Sequence, residues 1–203
     1  MNKAQRQRIV DRHRDSCTRY GHHANALYWS SQEIQELRFQ VLAEIGIKSG
    51  DSVLDVGCGF ADFKSWIEAQ GITVDFTGID LSPDLIRVAE QQHSDARLLC
   101  GELFDFDPQF KPRSFDWVIL SGAMNEQLHD DGEYARKMIA SMFTLCDKGL
   151  AFNLLDADKI KAHDLQSFKQ QEIKDYCKTL SAKVLLRDDY LPNDFTIYMP
   201  QNL

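Results

Sequence analysis

The chain has 203 residues, 43% of them hydrophobic, and a formal net charge of −8. That is enough apolar chain for one sizeable core, and no composition shift marks a second, so a single domain spanning 1–203 is expected. The acidic balance argues against a broad basic surface for nucleic acid, and five scattered cysteines without metal-ligand spacing read as reduced intracellular thiols with no metal site.

The opening MNKAQRQRIVDRHRD lacks the apolar core of a signal peptide, and no run of about 18 apolar residues occurs, which predicts a soluble, cytoplasmic chain with no membrane partner. Residues 1–48 precede the first strand and read as largely helical. Lys3, Arg6, Arg8, Arg12 and Arg14 form either a solvated helix face or a contact for RNA or an anionic substrate. Tyr20-Gly21-His22-His23-Ala24-Asn25 breaks the helical pattern. A second helix is expected from Ser31 to about Ile45, capped by Ser30 or Ser31, with Ile34, Leu37, Val41, Leu42 and Ile45 at helical spacing. Arg38 lies beside that stripe, and one reading of it is an exposed side chain paired with Glu36 or Glu44.

The stretch Asp51–Asp62, DSVLDVGCGFAD, organises the rest. An apolar run enters Gly57-Cys58-Gly59, and a helix is expected at once over Phe60–Ala69, giving strand, glycine turn and helix. In open parallel α/β sheets the ligand lies outside the carboxyl ends of the strands, beside the first such turn. The third glycine of a dinucleotide-binding turn is missing, since Asp62 stands there, and this disfavours a nucleotide-dependent dehydrogenase. Asp55 before the turn and Asp80 at the end of the next apolar run suit a ligand with an ammonium group and a ribose diol but no phosphate. S-adenosylmethionine fits that description.

VLDVGCGFAD followed by GIDLSP resembles the class I S-adenosylmethionine-dependent methyltransferases, from about Arg38 to Asn125. The resemblance implies an α/β, Rossmann-like, seven-stranded sheet, mostly parallel with the last strand antiparallel, helices on both faces, and an amino-terminal helical lid over 1–48 on a core of 49–203. It implies that Asp55, Gly57 and Gly59 lie against the methionine part of the cofactor, that Cys58 and Asp62 of the same turn also bind the cofactor, and that Arg38 holds its carboxylate. Asp80 would bind the ribose, Leu81 would pack on adenine, Glu102 with the Leu103 backbone would meet the adenine amino group, and Ser121 would line the cofactor's side of the next loop. A lid makes Tyr20, His22, His23 and Tyr28 candidates for the substrate side; two adjacent histidines are more often a surface turn than a catalytic pair.

Further along, Ile72–Ile79 is expected as the second strand and Ser82-Pro83-Asp84 as the start of a helix reaching about His93. Arg97–Cys100 reads as a third strand and Ser114–Leu120 as a fourth. The loop Ser121-Gly122-Ala123-Met124-Asn125-Glu126 lacks the paired prolines and aromatic ring of the enzymes that grip nucleobase or glutamine amines, and it has no nucleophilic cysteine. Asn125 is a substrate-side candidate, and His22, His23, Glu126 and His129 are the candidates for a general base. A helix from about Gly132 to Cys146, a strand over Gly149–Leu154, a helix over Asp164–Leu180 and a strand over Lys183–Arg187 follow. The connection Asp188–Asp194 is too short for a parallel crossover, so Phe195–Met199 should pair antiparallel with the strand before it.

The function expected is methyl transfer from S-adenosylmethionine, leaving S-adenosylhomocysteine, to N or O of a small molecule. Two alternatives stay open: a cofactor-binding regulatory scaffold without transferase activity, and an RNA-directed methyltransferase using the basic amino terminus. Neither the acceptor nor an oligomeric state can be read from the residues.

Overall fold

A computed structural model describes residues 1–106, 109–160 and 164–201. The strands are β1 (Ser52–Val56), β2 (Asp75–Asp80), β3 (Arg97–Cys100), β4 (Phe115–Ser121), β5 (Cys146–Leu155), β6 (Leu185–Arg187) and β7 (Asp194–Pro200), in the order β3-β2-β1-β4-β5-β7-β6. Only β7 is reversed, pairing antiparallel with both β5 and β6. The hairpin argument from the short connection thus leads to the observed pairing.

Alternation along the strands divides the core in two, because successive side chains point to opposite faces. Val53, Trp117, Ile119 and Ala151 face α2 (Gln32–Ala43), α3 (Asp62–Ala69) and α4 (Pro83–Gln92). Leu54, Val118, Leu120, Leu150 and Phe152 face α5 (Glu133–Leu145) and α6 (Gln170–Leu180). With both faces covered, the middle of the central strands is apolar, and buried polar side chains such as Asp55 and Asn153 stand towards their carboxyl ends. Crossovers leave β1 to opposite sides, β2 on one and β4 on the other, and a crevice opens at that switch point above the strands' carboxyl ends. Across it lies α1 (Lys3–Tyr20), followed by a short 3-10 turn over Ala24–Leu27.

Several boundaries differ from expectation for local reasons. The helix after the glycine turn starts at Asp62 because Ala61 is held left-handed at φ 62°, extending the turn by two residues. β2 begins at Asp75, where pairing with Ser52 starts. The helix expected from Asp164 starts only at Gln170, because Leu165 bridges Glu126 and Phe168 bridges Asp156, fixing that backbone as extended chain beside β5. Ser31 is the cap of α2, accepting from Ile34 N–H at 3.3 Å, and Ser82 caps α4 ahead of Pro83.

Candidate active site

The crevice is roofed by α1 into a cavity of about 460 Å³. Its floor is the glycine turn: Gly57 (φ 79°) and Gly59 (φ 57°) take left-handed conformations, and the Gly57 and Cys58 N–H groups donate to the Ile79 carbonyl at 2.7 and 3.0 Å. A Cβ on Gly57 would lie 2.3 Å from Cβ of Ala123, so glycine is required there by the approach of the loop after β4. A Cβ on Gly59 would meet Leu27 at 3.0 Å, so the second glycine admits the roof.

Two carboxyl groups stand at the ends of adjacent strands. Asp55 is buried, and burial, reinforced by the charges of Asp80 and Asp62, pushes its pKa up to about 8. Asp80 is also raised by burial, against which His13 and the N–H groups that bind it work. Its Oδ2 accepts from Gly59 N–H at 3.0 Å and its Oδ1 from Ser82 N–H at 2.8 Å, so it braces both the glycine turn and the start of α4.

Arg38 differs most from the exposed reading. It is 4% exposed and binds Asp194 of β7 bidentately, Nε at 2.6 Å and Nη2 at 2.7 Å, under the Trp29 ring at 4.7 Å. Glu44 pairs with Arg187 instead, and Glu36 accepts from Gln32. The third guanidinium nitrogen, Nη1, is buried without a partner, close to where a Cβ on Gly122 would stand, in a residue that lines the cavity.

Of the other residues singled out in the sequence, Cys58, Leu81, Glu102, Leu103, Ser121, Tyr28, Asn125 and Glu126 line the cavity. Asp62 does not: its carboxylate accepts from Gln35 at 2.8 Å and faces His22 at 3.2 Å. Nor do Tyr20, His22, His23 or His129. Tyr20 is exposed, His22 lies between Asp62 and Gln92, His23 caps the 3-10 turn, and His129 sits in an exposed turn with φ 54°. Glu102 is buried and ion-paired with Arg6 at 2.8 Å. Ser121 donates to Asn153 at 3.1 Å, and Asn125 Oδ1 is buried without a partner.

The basic opening is a strap on the chain's own acidic rim. Arg6 binds Asp105 through two bonds of 2.8 and 2.9 Å, Arg8 donates to the Gln127 carbonyl at 2.7 Å, Arg12 pairs with Glu126 at 2.7 Å and Arg14 faces Asp84 at 3.5 Å. These arginines are thus partly solvated and partly engaged within the chain, with Arg8 and Arg14 exposed.

A family model described as a methyltransferase domain matches residues 53–149. A Mycobacterium tuberculosis protein named as a methyltransferase is 31% identical over 158 residues, covering 72% of this chain and 90% of its own. The chain belongs to the class I S-adenosylmethionine-dependent methyltransferases. The demethylmenaquinone methyltransferase of Staphylococcus saprophyticus is 28% identical over 123 residues, 59% of this chain and 51% of that protein. Among solved structures, the magnesium protoporphyrin IX methyltransferase of Synechocystis, with S-adenosylmethionine bound, superposes over the full length of both chains with a TM-score of 0.67 and 18% identity. An Archaeoglobus fulgidus methyltransferase gives the same TM-score at 14% identity, over 84% of this chain and 95% of its own.

As a methyltransferase of this family the enzyme uses S-adenosylmethionine, and the donors present fit it. A buried unpaired guanidinium nitrogen suits a carboxylate and a buried carboxyl without a cation suits an ammonium, both on the same cavity. Residue pattern did not single out His13, Gln35 or Asp194, though all three help to build this cavity. His13 and Gln35 line the cavity and Asp194 orients Arg38. Spacing within α1 could have placed His13 on the same face as Ile9, one turn away; nothing local links Arg38 to Asp194. Among the described residues no helix is long and apolar enough to cross a membrane, and no cluster of metal-ligating side chains occurs.

Proposed function

We propose that the enzyme methylates N or O of a small molecule held under α1, and that the described chain acts as one methyltransferase domain. The observation that carries this reading is the roofed cavity, whose walls beyond the strand ends are supplied by Trp29, Ile34, Leu155 and Ile160. Such an enclosure suits a compact acceptor with apolar surface. The relatives' names, which specify demethylmenaquinone and magnesium protoporphyrin IX, support a small-molecule acceptor. An RNA acceptor is disfavoured because Arg6, Arg12 and Arg14, the groups that would recruit it, are engaged within the chain.

The bound cofactor supplies an electrophilic sulfonium methyl. The chain's own work is to bind, align and dry the site. Asp55 would take the ammonium and Arg38 Nη1 the carboxylate, with Gly57, Cys58 and Gly59 giving close backbone approach. Asp80 would hold the ribose, Leu81 the adenine face, and Glu102 with Leu103 the adenine amino edge. Asn125 Oδ1 would orient an N–H or O–H of the acceptor. Where the acceptor sheds a proton, Glu126 is the one of the four sequence candidates for a base that reaches the cavity. The α1 roof keeps water out.

The test is turnover of a panel of small amines, phenols and carboxylates beside short RNAs, followed by release of S-adenosylhomocysteine. Transfer to a small molecule, reduced at least tenfold in Asn125→Ala with cofactor affinity retained, is the expected result. Transfer to RNA alone would overturn the reading.

A further inference from the structure

His13 has no part in the roles assigned above, yet it sits at the centre of the roof. It lies one turn from Ile9 on the inner face of α1, where Ile9 and Ser16 are buried, and it lines the cavity. Its Nδ1 is buried with no hydrogen-bond partner. The ring is held edge-on by Tyr28 at 5.5 Å, whose hydroxyl donates to the Arg12 carbonyl at 2.8 Å. From the surrounding elements it faces the Asp80 carboxyl at the end of β2, the Glu126 carboxylate after β4, the Arg12 guanidinium on its own helix and the Ala26 carbonyl of the 3-10 turn. Burial is the strongest influence and lowers its pKa below the ordinary value, so the ring is neutral at pH 7 and one nitrogen is free to accept. Asp80 is the strongest of the opposing charges. β2 and β4 are separated by β1, roughly 10 Å by strand spacing, so a ring that faces both Asp80 and Glu126 hangs over the crevice between the two strand ends, within reach of a ligand held by Asp80.

A ribose offers two adjacent hydroxyl donors. Each Asp80 oxygen accepts one backbone N–H and keeps a lone pair for a ribose hydroxyl, and the unpaired His13 nitrogen on the roof offers the diol a further acceptor from the opposite side. We propose that His13 Nδ1 is that acceptor, so that the ribose of the bound cofactor is clamped between Asp80 on the floor and His13 on the roof. His13 is then the residue by which α1 senses cofactor occupancy. This rests on the assignment of Asp80 to the ribose in the reading above.

Calorimetry on the full chain tests it with two probes, S-adenosylhomocysteine and 5′-methylthioadenosine, which share the nucleoside and differ in the amino-acid tail. His13→Ala should weaken both by a similar factor of about tenfold, the size of one lost buried hydrogen bond. His13→Asn, which presents an oxygen near the Nδ1 position, should recover most of that loss, a rescue that mere packing would not give. Binding of both probes unchanged in His13→Ala would overturn the proposal, as would weakening of S-adenosylhomocysteine alone, which would move His13 to the tail. If His13→Ala melts more than a few degrees below wild type, His13→Asn decides by itself: near wild-type affinity for both probes supports the clamp, and tenfold weaker binding in a folded His13→Asn sinks it. Asp80→Asn separates the two levels of the argument. Unchanged affinity there brings down the ribose assignment and the clamp together, whereas weakened binding there with normal binding in His13→Ala removes the clamp only.

Discussion

Floor and roof of the same cavity are built by opposite means. The floor is the carboxyl end of a sheet covered on both faces, and its polar groups are held from within the fold: Asp80 is fixed by two backbone donors and Arg38 by a bidentate carboxylate. The roof, α1, buries only Ile9 and Ser16 and is fastened by arginines to carboxylates and carbonyls along its edges. The difference teaches where each part of the function can reside. A preorganised floor can recognise a constant cofactor, while a polar roof is free to open for exchange, since mobile elements are drawn from the least stable part of a fold.

The contrast is sharpest for two arginine–carboxylate pairs of similar length. Arg38–Asp194 is 2.6 Å with both side chains about 5% exposed, and Arg12–Glu126 is 2.7 Å with the arginine 38% exposed. Removing one partner of a buried pair strands the other charge, so Arg38→Ala should lose about 3–5 kcal/mol of stability. Arg12→Ala should lose about 0–1 kcal/mol. Urea unfolding of the two variants measures both, and similar losses would erase the distinction between floor and roof.

Next in size is Gly57→Val. The strain of a β-branched residue at φ 79° is about 1–3 kcal/mol, and the new Cβ would displace Ala123. The variant should fold with a lower melting temperature and bind S-adenosylhomocysteine at least tenfold more weakly, because turn and loop part where the methionine tail would lie. Normal affinity would put the tail elsewhere. The damage comes through Ala123, a neighbour seen only in the fold, rather than through direct filling of cofactor space.

That neighbour shows what the residues could and could not disclose. The glycine turn, Asp80 and the reversed last strand were legible because each is a local signal: positive φ, a strand-end acid, a connection too short to cross over. The boundaries that moved, at Asp62 and Gln170, were set by Ala61 in a left-handed turn and by Phe168 pairing across the chain, and neither leaves a mark in helix propensity. Arg38 was visible as a candidate, but its buried state was not, since Asp194 lies 156 positions away. The basic opening could be seen in composition, while its acidic partners come from the separate loops and helices that carry Asp84, Asp105 and Glu126.

A smaller effect lies in the pH dependence of the floor. Asp55 titrates at about 8 in the free protein, against an ordinary 3.8. A raised folded-state pKa means that its contribution to stability is complete below about pH 4 and is lost as pH rises through 8. Against an ammonium group it must ionise, so below pH 8 binding expels a proton and affinity should climb with pH, by at most tenfold per unit between 6 and 8, and flatten above. Calorimetry of S-adenosylhomocysteine in two buffers of different ionisation enthalpy should record close to one proton released at pH 7. Asp55→Asn should release none and bind weakly at every pH. A flat profile in the wild type would mean that Asp55 does not meet the ammonium.

The smallest expected effect is on the roof alone. Its ion pairs are partly exposed, and raising salt from 0.15 to 1 M shortens the screening length from about 8 to about 3 Å, whereas the buried pairs of the floor are little affected. Amide exchange along Lys3–Tyr20 and through Tyr28 should therefore quicken by a few-fold at 1 M salt in the free protein, with β1 and β4 unchanged. S-adenosylhomocysteine should slow the same amides and blunt the response to salt, because a ligand touching both surfaces adds contacts that screening does not weaken. Removing the strap electrostatically rather than by truncation matters here: Ala26 of the 3-10 turn packs on Phe60 and Leu85, and deleting residues 1–30 would expose that apolar cluster and confuse lost closure with lost packing. If exchange over α1 ignores both salt and ligand, the helix is a fixed cap, and the acceptor must reach the cavity by another route.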